Sequence, residues 1–307
     1  MNWNGSPYHT LDFEMKSRFG QKVYKIALDG HMTCPNRDGH VGTGGCIFCS
    51  SQGSGDFAGS ARLSIAEQIR QGKADISSKR PVHSYIAYFQ AFTNTYAPVE
   101  TLRALYMEAI ADPEVKILSI ATRPDCLGAD VLALLDEINH IKPVWVELGL
   151  QTIHPETSAY IRRGYELSVF EQAVKELRAI GITVIVHTIL YLPGETKDDM
   201  LDTIHYLNHM DIQGIKLQLL HVLTHTDLAA DYEKHPFYIP DMQDYIQFLG
   251  TCIAHLNPEI VIHRLTGDGP KDLLIAPLWT SNKRTVLNQL HSHLKEQDIW
   301  QGKEYYV

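Results

Sequence analysis

Six short apolar runs, spaced at intervals with helix-forming stretches between them, constrain this 307-residue chain more than any other feature. They are VYKIAL (23–28), HSYIAYF (83–89), VKILSIAT (115–122), VWVELGL (144–150), ITVIVHTIL (182–190) and IKLQLLHV (215–222). Each is nearly continuous in apolar and β-branched residues, the pattern of a strand covered on both faces. Helix entries stand between them. Ser64-Ile-Ala-Glu67, Ser168-Val-Phe-Glu171 and Thr196-Lys-Asp-Asp199 have the form of capping boxes. Pro98 opens LRALYMEAI, and LALLDEI (132–138) carries Leu132, Leu135 and Ile138 on one face. Repeated β-then-α units require parallel strands joined by right-handed crossovers. Six units suit a barrel or partial barrel better than a small open sheet. In that architecture chemistry sits at the C-terminal ends of the strands.

After about residue 228 the rhythm changes. Helices are expected at 242–256 and 281–298, with one strand, EIVIHRL (259–265), between them. The expected organisation is therefore an N-terminal segment (1–22), a core barrel (23–228) and a C-terminal extension packed on the barrel (229–307).

The loop after the first run is CPNRDGHVGTGGCIFC, Cys34 to Cys49. It holds three of the chain's five cysteines, Cys34, Cys46 and Cys49. An odd number of unevenly spread thiols gives no disulfide framework. MNWNGSPYHT lacks the basic and apolar regions of a secretory signal, and no apolar run reaches membrane-spanning length. A cytoplasmic chain with reduced thiols is expected. Glycines through the loop allow the backbone to wrap a bulky inorganic group. Two ligand sets are open. His31 or His40 would complete a closed Cys₃His zinc site. Three thiolates alone would hold a four-iron cluster with one iron left for another ligand. Phe48, an aromatic directly before the last cysteine, has no role at zinc but would cover a cluster and touch an adenine.

Polar residues stand where the later runs end: Gln90 after YIAYF, Arg123 in Thr-Arg-Pro-Asp, Glu147 and Gln151 in the fourth run, and then Arg162-Arg163. With the Cys-x-aromatic-Cys loop, this series resembles the radical SAM superfamily, and Thr-Arg-Pro-Asp resembles its Elp3-like members. The usual spacing puts three residues between the first two cysteines; here eleven separate Cys34 from Cys46. The resemblance implies a partial (β/α)6 barrel of TIM type. It implies a [4Fe-4S] cluster on Cys34, Cys46 and Cys49, and S-adenosylmethionine contacted by Phe48, Gln90, Arg123, Glu147, Gln151 and Arg162 or Arg163. It also implies a reducing electron donor such as flavodoxin or ferredoxin, and a 5′-deoxyadenosyl radical as the species that abstracts hydrogen. Cys-Pro-Asn-Arg-Asp-Gly, Tyr-Phe-Gln-Ala-Phe-Thr-Asn-Thr-Tyr-Ala and Ile-His-Arg-Leu-Thr-Gly-Asp further resemble the bacterial YhcC/YtqA family, which includes MnmL-type enzymes. That likeness implies tRNA as partner and conversion of carboxymethylaminomethyl to aminomethyl on the wobble uridine. Alternatives are a radical SAM enzyme of a small metabolite or protein, and a zinc-binding scaffold without catalysis.

A net charge of −9 argues against a general nucleic-acid coat protein, whose footprint is basic. Residues 60–82, with Arg62, Arg70, Lys73, Lys79 and Arg80 against Glu67 and Asp75, form a local basic excess, and Lys283, Arg284 and Lys295 add cations to the last helix. His187 and His221 are expected in strands facing the interior. Cys126 and Cys252 are expected as small buried thiols. His263 to Pro270 is a glycine-bracketed loop offered for substrate contacts.

Overall fold

The structure, a computed structural model, describes residues 3–53, 55, 58–78, 82–267 and 269–306. Helix α1 (Leu11–Phe19) precedes strand β1 (Tyr24–Leu28), and α2 (Ile65–Ser77) leads to β2 (Tyr85–Phe89). Next come α3 (Val99–Ile110) and β3 (Val115–Thr122), then α4 (Ala129–Asn139) and β4 (Val144–Gln151). Helices α5 (Pro155–Tyr160) and α6 (Leu167–Ala179) connect to β5 (Thr183–Leu190), and α7 (Lys197–Asn208) to β6 (Gly214–Leu219). Strands β1 to β6 pair in parallel and in chain order. The fold is α/β, a curled partial barrel.

The sixth run divides where a single strand was expected. β6 ends at Leu219, and β7 (Val222–Leu223) belongs to a separate two-stranded antiparallel sheet. His221 therefore lies between strands rather than in one. Beyond α8 (Asp227–Lys234) and α9 (Met242–His255), β8 (Val261–Arg264) pairs with β6 as a seventh parallel strand. The C-terminal segment thus supplies part of the barrel wall. β9 (Leu274–Ala276) completes the small sheet with β7, and α10 (Lys283–Glu296) packs on α9. Among the described residues no helix is long and apolar enough to cross a membrane.

The capping boxes at Ser64 and Thr196 form as expected, each hydroxyl accepting from the third-residue amide. The one at Ser168 does not. α6 begins at Leu167 with Glu166 as its N-cap and no side-chain cap bond, and just ahead of it Arg163 Nε donates to Tyr165 O at 3.1 Å.

Alternate residues along a strand share a face, so the barrel interior can be read in layers. The lowest layer is apolar: Val23, Ile86, Ile117, Trp145 and Ile185 form one cluster with Met15 of α1, and Leu11 and Phe19 pack beside them. The N-terminal helix thus plugs the bottom of the barrel, and Thr10, its N-cap, bridges to Ile262 on the open edge of β8. Two residues further along each strand the interior turns polar, with Lys25, Tyr88, Ser119, Glu147 and His187, joined by Lys216 on β6. Two residues further again stand Ala27, Ala121 and Gly149, small side chains that leave room for a cavity.

Candidate active site

A cavity of about 790 Å³ opens at the C-terminal ends of the strands. Cys34, Cys46, Cys49 and Phe48 form part of its wall, and so do Gln90, Arg123, Glu147, Gln151 and Arg163. Arg162 does not.

The cysteine loop is anchored by side chains rather than by secondary structure. Asn36 Nδ2 donates to Arg162 O at 2.6 Å and lies 3.6 Å from Cys46 Sγ. Arg37 reaches the carbonyls of Cys49 and Ser50 at 3.3 and 2.7 Å. Gly45 takes φ +74°, and a Cβ there would lie 2.9 Å from Arg37 Nε, so glycine is needed both for the turn and for the approach of the guanidinium. The Cys46 thiol is pulled down to about 7, first by its hydrogen bond with Cys49. Burial opposes this, while Arg123, Asn36 and Arg37 assist. Such a thiol is readily a thiolate ligand.

Among the described residues, no three His, Cys, Asp or Glu side chains converge on a point where one metal ion would sit. The three thiols share one cavity wall instead, a set suited to a multi-iron cluster that takes one thiolate per iron. His31 and His40, the candidates for a fourth zinc ligand, are both exposed and outside the cavity wall.

The two adjacent arginines have opposite placements. Arg162 pairs with Asp227 at the start of α8, and its guanidinium lies over Gly44 of the cysteine loop. Arg163 is buried, donating to Leu150 O at 3.1 Å and Thr152 O at 2.6 Å, so it fixes the backbone at the end of β4. Arg123 holds Asp125 through two nitrogens, at 2.9 and 2.7 Å, and donates to Arg163 O at 2.8 Å. Burial works against its charge, but the Asp125 pair outweighs burial and raises its pKa. Gln151 has φ +64°, turning the chain at the strand end. Phe48 packs against the cluster containing Ile47, Ile161 and Leu220.

Glu147 lies deeper and is fully buried. Its Oε1 accepts from Lys25 at 2.6 Å and from Ser119 at 2.7 Å; its Oε2 contacts His187 at 2.7 Å and pairs with Lys216. Burial opposes its charge, yet Lys216 and Lys25 hold its pKa well below the usual carboxylate range. Lys216 also donates to the Tyr88 phenol at 3.1 Å. Lys25, Tyr88 and Lys216 were not among the candidates from sequence. Their signal is one polar residue on each successive strand, two positions beyond a buried residue that faces the same side.

The remaining candidates separate clearly. His187 faces the interior, pushed down to about 4 by burial and then by Lys216. His221 is in the cavity wall and contacts Thr280 Oγ1 at 3.1 Å. Cys126 is outside that wall, with burial pushing its thiol up to about 12. Cys252 is buried in α9. Of the segment 263–270, His263, Arg264, Gly267, Gly269 and Pro270 reach the cavity, the first two from strand β8 rather than from a loop, while Asp268 lies outside the described residues. Of the basic segment at 60–82, Lys73 is committed to Asp112 and Glu114, and Lys79 and Arg80 lie outside the described residues. Lys283 lies at the cavity; Arg284 and Lys295 do not.

Comparison with known proteins agrees with this geometry. Residues 38–207 match the Radical SAM superfamily model and residues 212–296 the Radical SAM C-terminal domain. The chain is 45% identical to protein YtqA of Bacillus subtilis over 296 residues, covering 96% of this chain and 92% of that one. It is 37% identical to protein YhcC of Escherichia coli over 288 residues, covering 93% and 92%. In fold it is similar to the archaeal Methanocaldococcus infernus Elp3 with an N-terminal deletion, with a TM-score of 0.71 and 14% identity, covering 91% of this chain and 64% of that one. With three thiols and an aromatic residue at the strand ends of a parallel half-barrel, and with these matches over nearly its whole length, the chain belongs to the radical SAM superfamily, whose members work with a [4Fe-4S] cluster and S-adenosylmethionine.

Proposed function

We propose that this chain reductively cleaves S-adenosylmethionine and modifies the wobble uridine of tRNA, converting a carboxymethylaminomethyl group to aminomethyl. Cys34, Cys46 and Cys49 would hold the cluster in this reading, with Phe48 in the same cavity wall. When bound, the cluster and S-adenosylmethionine together supply a 5′-deoxyadenosyl radical. The protein's part is to keep water from the reacting carbon and to position it. The apolar layer sealed by α1 closes the far end of the cavity, and Arg163 and Arg123 fix the loop after β4 beside the thiols. Glu147 is expected to act through Lys25 and Lys216 rather than by touching a ribose, since each of its oxygens already has two protein partners.

The observation that carries the substrate class is an inversion of charge. The chain is net −9, yet the cavity wall carries eight lysines and arginines and, among the described residues, a single carboxylate, Glu147. Lys271 and Lys283 in that wall come from the C-terminal segment, as does Arg264. A polyanion such as RNA is attracted to such a mouth even when the rest of the surface is acidic. A soluble electron donor such as flavodoxin or ferredoxin would supply the reducing electron. Nucleoside analysis of tRNA from a strain lacking the gene tests the reading: carboxymethylaminomethyluridine should accumulate and aminomethyluridine should vanish. Unchanged wobble uridines would remove the tRNA assignment and favour an anionic metabolite.

A further inference from the structure

The polar layer beneath the cavity has more hydrogen-bond donors and more positive charge than its own residues can satisfy. Among the described residues Glu147 is its only acid, and both carboxylate oxygens are engaged. Lys25 and Lys216 share that one negative charge. Of the three N–H donors on each ammonium, Lys216 uses two, on Glu147 and Tyr88, and Lys25 uses one, on Glu147. Both ammonium groups also lie against the Tyr88 ring, 4.6 and 4.7 Å from its centroid, so their excess charge is concentrated around one phenol. His187 adds no counter-charge, and its lowered pKa keeps it neutral near pH 7. Burial, followed by the repulsion of Lys25 and Arg264, pulls Lys216 down to about 7 against the attraction of Glu147. Two ammonium groups thus depend on one carboxylate, the protein side offers no second anion among the described residues, and a bound anion would favour the charged form of Lys216.

The layer is open to one side only. Below it, Val23, Ile86, Ile117, Trp145 and Ile185 form the apolar plug with α1. Above it, Ala27, Ala121 and Gly149 leave a passage to the thiol rim, and Lys25, Lys216, Tyr88 and Glu147 all reach the cavity. A small anionic group entering from the mouth would meet the spare donors in a site shielded from water, where charge pairing is strong.

We propose that Lys216 and Lys25 form a subsite for a carboxylate on the part of the substrate that enters the barrel, with Glu147 holding the two ammonium groups apart and aimed. On the proposed function, on which only the identity of that group rests, it is the carboxylate of the carboxymethylaminomethyl substituent. RNA phosphates would then be met at the cavity mouth by Lys271 and Lys283, and the floor would read the modification itself.

The test is anaerobic binding to the cluster-loaded protein with S-adenosylmethionine present. Two probe pairs are used: 5-carboxymethylaminomethyluridine against its methyl ester, and acetate against acetamide, followed by ligand-observed magnetic resonance. The wild-type protein should favour the acid in each pair at least tenfold. Lys216→Met should reduce that preference to twofold or less, Lys25→Met should reduce it in part, and Lys216→Arg should restore it. Thermal melts identify any variant that fails to fold, and the Lys25 variant then carries the test. Equal binding of acid and ester by a nucleoside-binding wild-type protein overturns the subsite. So does a preference that survives in both methionine variants. Preference for inorganic phosphate over acetate, lost in Lys216→Met, overturns the carboxylate assignment in favour of phosphate. If acetate is preferred but the nucleoside pair does not bind, the subsite stands and the uridine reading falls.

Discussion

The rim and the floor of the cavity are built in opposite ways. At the rim, the thiols come from one irregular loop, and Asn36, Arg37 and Arg162 hold that loop in place by reaching its backbone and glycines. At the floor, no loop takes part. Lys25, Tyr88, Ser119, Glu147, His187 and Lys216 come one from each of six successive strands, and the sheet's hydrogen bonds set their spacing. Flexible chemistry is concentrated in a single segment, while rigid charge is distributed over the whole barrel. An inorganic cluster can organise a loop around itself. A carboxylate subsite has no such template, so its donors must be positioned before the ligand arrives.

Breaking the rim at its thiols should have the largest effect. Alanine at Cys34, Cys46 or Cys49 should abolish cluster binding, read as loss of brown colour and of bound iron and sulfide after anaerobic reconstitution. The fold should persist, because the loop contributes little to the barrel core. A colourless wild-type protein that binds zinc instead would remove the distinction drawn here between rim and floor.

At the floor the order of effects reverses. Glu147→Gln should leave cluster loading intact but cost about 3–5 kcal/mol of stability, since it removes the carboxylate from the buried Lys216 ammonium and the half-buried Lys25 ammonium. Denaturant unfolding of the apoprotein measures it. A loss below about 1 kcal/mol would mean that the floor is solvated and its charges are not coupled.

The smallest effect is expected at Arg162. Its partner Asp227 is well exposed, so Arg162→Ala should change stability by about 0–1 kcal/mol. Arg163→Ala, by contrast, removes a buried donor from Leu150 and Thr152 carbonyls and should cost about 1–3 kcal/mol. Equal losses from the two arginines would contradict their assignment to loop clamp and strand-end anchor.

Much of the molecule is legible from local pattern. The runs at 23–28 to 182–190 each contain a strand, because continuous β-branched segments have few other uses. Ser64 and Thr196 cap helices because a hydroxyl and an acid three residues later satisfy free amides without help from elsewhere. The same local rule misplaces the start of α6, where the chain just ahead of the helix is tied to Arg163, an element of the site. The division of 215–222 into β6 and β7 is hidden for a similar reason: β7 exists only because β9, fifty residues on, lies beside it.

The sequence by itself determined the parallel βα order and the loop that gathers three thiols behind an aromatic residue. Both follow from neighbours along the chain, where spacing and backbone preference act directly. Only the tertiary structure decided that β8 joins the wall, that α1 plugs the barrel, and which of two adjacent arginines reaches the cavity. It alone showed that lone polar residues in six apolar strands form one charged floor. Those outcomes depend on strand register and interior facing, and a one-residue shift in register would turn each of these side chains to the opposite face of the sheet.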